Sequence, residues 1–166
     1  MGLDSVRKAT LYGLKLTTWL GFLAPLLTRL VIGQAFFLTG RGKLQNIDKI
    51  VEFFTGLGIP MPGLNAAFVS RLEYYGGMLL IVGLATRLIA LLLSSTMVVA
   101  LMTADKADFV GAFTGAGEKG LTDVTAFVYL LFLVWLVLHG PGWLSLDALV
   151  RRALGIEPAT PVPKTA

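Results

Sequence analysis

Ionisable residues stand inside stretches that otherwise read as lipid-facing, and this constrains the chain more than any other feature. Arg29 interrupts the apolar run of residues 19–37, and Arg71 and Glu73 interrupt that of residues 66–84. A charge in hydrocarbon costs roughly 2.5–3.5 kcal/mol on insertion scales. Such a group persists where it faces a protein interior, pairs with another charge or serves a pathway. Arg29 and Glu73 are therefore the first candidates for function.

Composition points the same way. Hydrophobic residues make up 55% of the 166 and charged residues 14%, whereas soluble domains carry about 25% charged residues. The deficit is spread along the whole chain, which predicts one integral membrane domain. The absence of cysteine excludes disulfides, thiolate catalysis, iron–sulfur clusters and cysteine-held zinc within the chain. His139 is the single histidine, so one chain cannot supply two histidines to a haem. No metal site is expected, and redox chemistry would have to use a diffusible or partner-held cofactor. The net charge of +4 does not call for nucleic acid. Its basic residues sit mostly at segment ends, where anionic lipid headgroups meet them.

A bilayer core takes about 20 apolar residues in a helix. Four segments meet or approach this: residues 19–38, 66–84, 88–104 and 124–138, the last extending without charge to Trp143. In lipid the backbone must satisfy itself, so these are helices. Short connections make neighbours antiparallel. The predicted fold is all-α: an integral membrane antiparallel four-helix bundle with short interfacial helices. Residues 1–18 form an amphipathic segment along the interface, residues 19–152 the transmembrane domain and residues 153–166 a flexible tail. The first apolar run contains Arg29 and lacks a small-x-small cleavage pattern, so it reads as a retained helix. Residues 46–55 are amphipathic, with Ile47, Ile50, Val51 and Phe54 on one face. Gly56, Gly58, Pro60 and Pro62 end that helix, and Gly140-Pro141-Gly142 ends the fourth. The termini and the second loop carry seven Lys and Arg, the other two loops five, which predicts both termini in the cytoplasm.

Helical phase places the charges more sharply. Arg29 shares a face with Pro25, Gly33, Phe36 and Gly40, joined by Lys43 if the helix runs on. Glu73 shares its face with Gly76, Gly77 and Leu80, so it looks into the bundle against a closely packed neighbour. Arg71 falls on another face. Asp105 and Asp108 end the third segment on the side of Lys43 and Glu73, which predicts a polar cluster there, with Arg29 deeper beneath it. Arg29 and Glu73 are expected to be coupled, either as an ion pair fixing helix register or as part of a functional site. His139 reads as interfacial and the methionines as packing residues. Gly40-Arg41-Gly42-Lys43 lacks the spacing and hydroxyl of a phosphate loop.

Four pieces in order resemble the DoxX family. Arg29-x3-Gly33-x2-Phe36-x3-Gly40-x-Gly42-Lys43 is similar to its first-helix signature, and Gly56-x-Gly58-Ile59-Pro60-x-Pro62 to the following loop. Glu73-x2-Gly76-Gly77-x5-Gly83-x2-Thr86-Arg87 is similar to its second helix and turn, and Gly140-Pro141-Gly142-x2-Ser145-x-Asp147 to its carboxyl-terminal motif. The resemblance covers about residues 25–152. It implies a small bacterial or archaeal protein of the cytoplasmic (inner) membrane with four helices. Related members include a subunit of a thiosulfate:quinone oxidoreductase, and others are thought to assemble with redox-protective enzymes. The matched ionisable residues are Arg29, Lys43, Glu73 and Arg87.

Three functions compete. A quinone-linked redox subunit, or an accessory component of a membrane oxidoreductase complex, needs an apolar slot and a few polar groups near the interface. Glu73 and Arg29 are then the candidate catalytic residues, with Glu73 exchanging protons. Arg29 or Lys43 would donate to a quinone carbonyl, and Phe36, Phe37, Tyr74 and Tyr75 would line the slot. The second function is a non-catalytic membrane anchor or assembly factor, in which the same charges hold the bundle. A small transporter is third, with no internal repeat to support it. The expected partners are membrane lipids, protein subunits of a redox complex and a second copy of the chain.

Overall fold

A computed structural model describes residues 20–156 and Leu11. The expected interfacial segment of residues 1–18, Leu11 apart, and the tail beyond residue 156 lie outside the described residues. Within residues 20–156, seven α-helices follow one another: α1 (Leu23–Gln45), α2 (Ile47–Gly56), α3 (Pro62–Val82), α4 (Thr86–Met102), α5 (Lys106–Thr114), α6 (Thr125–His139) and α7 (Leu146–Ala153). A short 3-10 turn, Leu121–Asp123, precedes α6. No strand occurs among the described residues.

The chain is thus all-helical. The long helices α1, α3, α4 and α6 pack with α1 against α3, α4 against α6, and the two pairs against each other. Ile32, Phe36, Leu80, Ile89, Leu93, Leu133 and Leu136 fill the centre. Leu101, Val124 and Ala126 form a smaller cluster beneath α5. The exterior is apolar as well: Val31, Leu88, Met102 and Leu138 are exposed, while Arg29, Ser70, Glu73, Thr86 and Ser94 are buried. The Ser70 and Ser94 hydroxyls donate to the carbonyls of Ala66 and Ala90, four residues back, which satisfies them within their own helices.

Glycines set the α1–α3 contact. A methyl group at Gly33 would stand 2.9 Å from the Gly77 carbonyl oxygen. One at Gly40 would collide with the backbone of Tyr74, and one at Gly77 with the backbone of Phe37. The helices therefore touch main chain to main chain and run antiparallel, as spaced small residues permit. Gly76, on the other side of α3, admits Ile89 and Leu93 of α4.

Helix boundaries differ from those expected. The first long helix begins at Leu23 and runs on to Gln45, taking in Gly40-Arg41-Gly42-Lys43. It is the one described helix that is both long and apolar enough by itself to cross a membrane. The 21-residue α3 carries Arg71 and Glu73, and α6 has 15 residues. The third segment breaks after Met102, and α4 and α5 meet at an angle of 80°; together they pass as one bent span. Gly140, at φ 80°, ends α6. Ser145 caps α7, its hydroxyl oxygen accepting from the Ala148 amide at 3.1 Å, the usual way to satisfy a free helix-start donor.

Candidate functional site

Two polar centres lie at opposite ends of the α1–α3 pair. The first is an ion pair: Lys43 Nζ lies 2.6 Å from Glu73 Oε1. Gly40, one turn before Lys43, rests on the backbone of Glu73 and Tyr74. That close approach brings the lysine over the carboxylate. The Glu73 side chain is 2% exposed and that of Lys43 29%, so the ammonium is the outer member. Glu73 Oε2 is buried and has no hydrogen-bond partner.

Lys43 and Glu73 form the charged end of a cavity of about 460 Å3. Phe53 and Phe54 of α2, the loop from Leu57 to Pro60, Phe68 and Val69 of α3, and Met97 and Ala100 of α4 supply most of its apolar wall. The uncharged polar residues on the wall have spent donors on main-chain carbonyls. Thr96 donates to Leu93 at 2.8 Å, Thr103 to Val99 at 2.7 Å, Ser95 to Leu92 at 2.6 Å and Asn65 to Pro60 at 2.6 Å. An ammonium has three N–H donors, and Lys43 gives one to Glu73. The loop that closes the cavity is stiff. Met61 sits between Pro60 and Pro62 in the left-handed region at φ 46°, a conformation uncommon outside glycine.

The second centre surrounds Arg29, which is 1% exposed. Its Nη2 donates to the Leu144 carbonyl at 2.5 Å, and its Nε to that of Pro25 at 3.4 Å. Its guanidinium fills the space beside Gly83, where no side chain would fit. Gly83 adopts φ 73°. Nearby, the Asp147 carboxylate accepts from the amides of Ala85 at 2.7 Å and Thr86 at 2.9 Å, capping the start of α4. The Asp147 amide donates back to the Gly83 carbonyl at 2.9 Å. Arg87 reaches the Leu138 carbonyl at 3.4 Å. Together these contacts tie the segment after α6 to the α3–α4 turn. Arg29 Nη1 and Thr86 Oγ1 remain buried without partners.

The expected Arg29–Glu73 coupling is therefore not what the structure contains. Arg29 and Lys43 are 14 residues apart on α1, about 21 Å along the axis at 1.5 Å per residue. Helical phase puts both on one face but does not give the height of a residue against a neighbouring helix. Because α1 continues to Gln45, Lys43 and not Arg29 stands level with Glu73. None of the four expected aromatic residues, Phe36, Phe37, Tyr74 and Tyr75, lines the cavity. Phe36 is buried in the core against Tyr129, ring centres 5.5 Å apart, and Tyr74 stacks on Phe37 at 5.1 Å. The cavity's aromatic residues are Phe53, Phe54 and Phe68. The amphipathic pattern of α2 marks a face that needs cover, which is the sequence signal for Phe54; Phe53 lies off that face and carried no such signal. Asp108 pairs with Lys119 at 2.7 Å, both exposed, instead of joining Lys43. The hydrogen bond and charge of Asp108 hold the Lys119 ammonium above the ordinary lysine range. His139 is exposed at the end of α6, stacked on Trp135.

Comparison with known proteins agrees with the motifs. The family model for DoxX matches residues 24–106. The protein named "Putative oxidoreductase CatD" of Bacillus subtilis (strain 168) is 33% identical over 133 residues, which cover 78% of this chain and 89% of that one. The protein named "Uncharacterized membrane protein Rv3486" of Mycobacterium tuberculosis is 32% identical, over 75% of this chain and 80% of its own length. "Inner membrane protein YphA" of Escherichia coli (strain K12) is 28% identical, over 74% and 86%. No solved structure matches the chain. The family match and the first two relatives, each aligned over most of its length, lead to one assignment: this chain belongs to the DoxX family.

Proposed function

We propose that the chain is a multi-pass protein of a bacterial or archaeal cytoplasmic membrane that binds a membrane quinone and serves a redox complex as a quinone-linked or accessory subunit. The observation that carries this reading is the Lys43–Glu73 pair at the polar end of an otherwise apolar cavity. A cavity of about 460 Å3 falls in the usual range for small-ligand sites, roughly 300–1,000 Å3. A quinone head is a flat apolar ring with carbonyl acceptors. Lys43, with N–H donors beyond the one given to Glu73, would hold a carbonyl, and Phe53, Phe54 and Phe68 would flank the ring. A bound quinone would supply the electron-carrying chemistry. This chain's residues bind it, orient it and keep water away from it. One relative is named as an oxidoreductase and others as membrane proteins, which fits a redox task in lipid.

The many exposed apolar side chains, with Arg29 and Glu73 buried, support a placement in the bilayer. In this reading α1, α3, the α4–α5 pair and α6 cross the membrane as an antiparallel four-helix bundle with both termini cytoplasmic. With 15 residues, α6 is about 22 Å long, short against a core of about 30 Å. Local thinning of the bilayer accommodates such a mismatch at modest cost.

The test is mass spectrometry of the protein purified from its native membrane, with Lys43→Met alongside. Copurifying quinone, lost or much reduced in the variant, is the expected result. A tight protein partner with no quinone in either preparation would favour a non-catalytic anchor or assembly factor.

A further inference from the structure

We infer, building on the reading of the cavity as a quinone site, that the form it holds in preference is the reduced one, a hydroquinone. The reason is a hydrogen bond that the protein leaves open. Glu73 Oε1 is satisfied by Lys43 Nζ at 2.6 Å, whereas Oε2 is buried with no partner. A carboxylate only accepts, so what is missing is a donor. An unpaired buried acceptor is costly, and more so when charged. The hydroxyls of Ser95, Thr96 and Thr103 on the cavity wall donate to main-chain carbonyls, as does the Asn65 amide, and the Lys43 ammonium meets only Oε1, so none of them reaches Oε2.

A quinone carbonyl is an acceptor and answers only the lysine. One hydroquinone hydroxyl answers both members of the pair. Its oxygen accepts from the Lys43 ammonium, and its O–H donates to the Glu73 carboxylate. The terminal torsion of a glutamate is soft, so the free oxygen turns toward that hydroxyl at little expense. The opposite charges of Lys43 and Glu73 also cancel. The site therefore has no net charge to draw in an anionic headgroup or a fatty acid, and a neutral aromatic diol is its complement.

Binding measurements decide this. The purified protein in detergent is titrated by calorimetry, without oxygen, with a short-chain benzoquinone and separately with its hydroquinone. The hydroquinone is expected to bind at least roughly tenfold tighter, the worth of one hydrogen bond to a charged group. In Glu73→Gln the amide both donates and accepts, so that preference should vanish while the oxidised form still binds. Equal affinities in the unaltered protein, or tighter binding of the quinone, overturn the inference and leave the quinone reading standing. Failure of both forms to bind overturns both. The ratio measured on the unaltered protein stands as the test even if the variant does not fold.

Discussion

Lys43 meets Glu73 at 2.6 Å because Gly40, one turn earlier on α1, lies against the backbone of Tyr74. The glycine sets how near the helices come, and the nearness sets which cation finds the buried carboxylate. This ties the stability of the helix pair to the geometry of the candidate site.

Gly40→Leu and Gly77→Leu should each destabilise the protein by roughly 1–3 kcal/mol or more through overpacking. Gly42→Ala is the control, because an added methyl group at Gly42 meets nothing within 4 Å. It should be neutral or stabilising by about 0.5–1 kcal/mol, the helix preference of alanine over glycine. Thermal melts in detergent give the comparison. A Gly40→Leu protein as stable as the Gly42→Ala one would refute the backbone contact.

Lys43→Met should leave Glu73 as an uncompensated buried charge. The expected cost is about 3 kcal/mol, the lower end for breaking a buried pair because Lys43 itself is partly open to its surroundings. The Lys43→Met, Glu73→Gln double variant should lose less than the sum of the single changes. By contrast, Arg29→Met and Glu73→Gln should add to within about 0.5 kcal/mol, as distant sites do. Strong coupling in the second cycle and none in the first would reverse the pairing described above.

Asp147→Asn should loosen the carboxyl-terminal segment. It weakens the cap on the amides of Ala85 and Thr86 and removes a negative charge acting on Arg29. Loss of such a cap costs about 1 kcal/mol. Hydrogen exchange in α7 should quicken while α1 and α3 stay protected. Unchanged exchange in α7 would show that Asp147 does not latch it.

Reporter fusions at residue 166 and in the loop near Gly115 should report opposite sides of the membrane. The same side for both would sink the proposed topology.

Much of this was legible before any coordinates. The glycine-bearing face of α1 and the inward aim of Glu73 follow from phase alone, since 100° per residue puts Gly33, Phe36 and Gly40 in line. Lys43 was on that face too. What phase cannot supply is axial offset, which depends on where a helix stops and how far it slides against its neighbour. The chain has no strong stop between Leu38 and Gln45, so α1 extends and shifts the partnership from Arg29 to Lys43. The cavity wall was hidden for a related reason. An amphipathic pattern shows that Phe54 seeks cover, not that α2 folds over Phe68 and the side of α4 to find it. Asp147 stood out only within a family motif, because a carboxylate that caps a helix 62 residues earlier in the chain leaves no local signature.

The three glycine contacts also decide which wall of the cavity is held fast. With backbone resting on backbone at Gly33, Gly40 and Gly77, α1 and α3 have no side-chain layer to deform and behave as one plank. The opposite wall is built differently: α2 packs against α3 there, and Phe53 is half out of the protein. The charged pair thus stands on the fixed side of the cavity, and the half-exposed edge at Phe53 stands on the other.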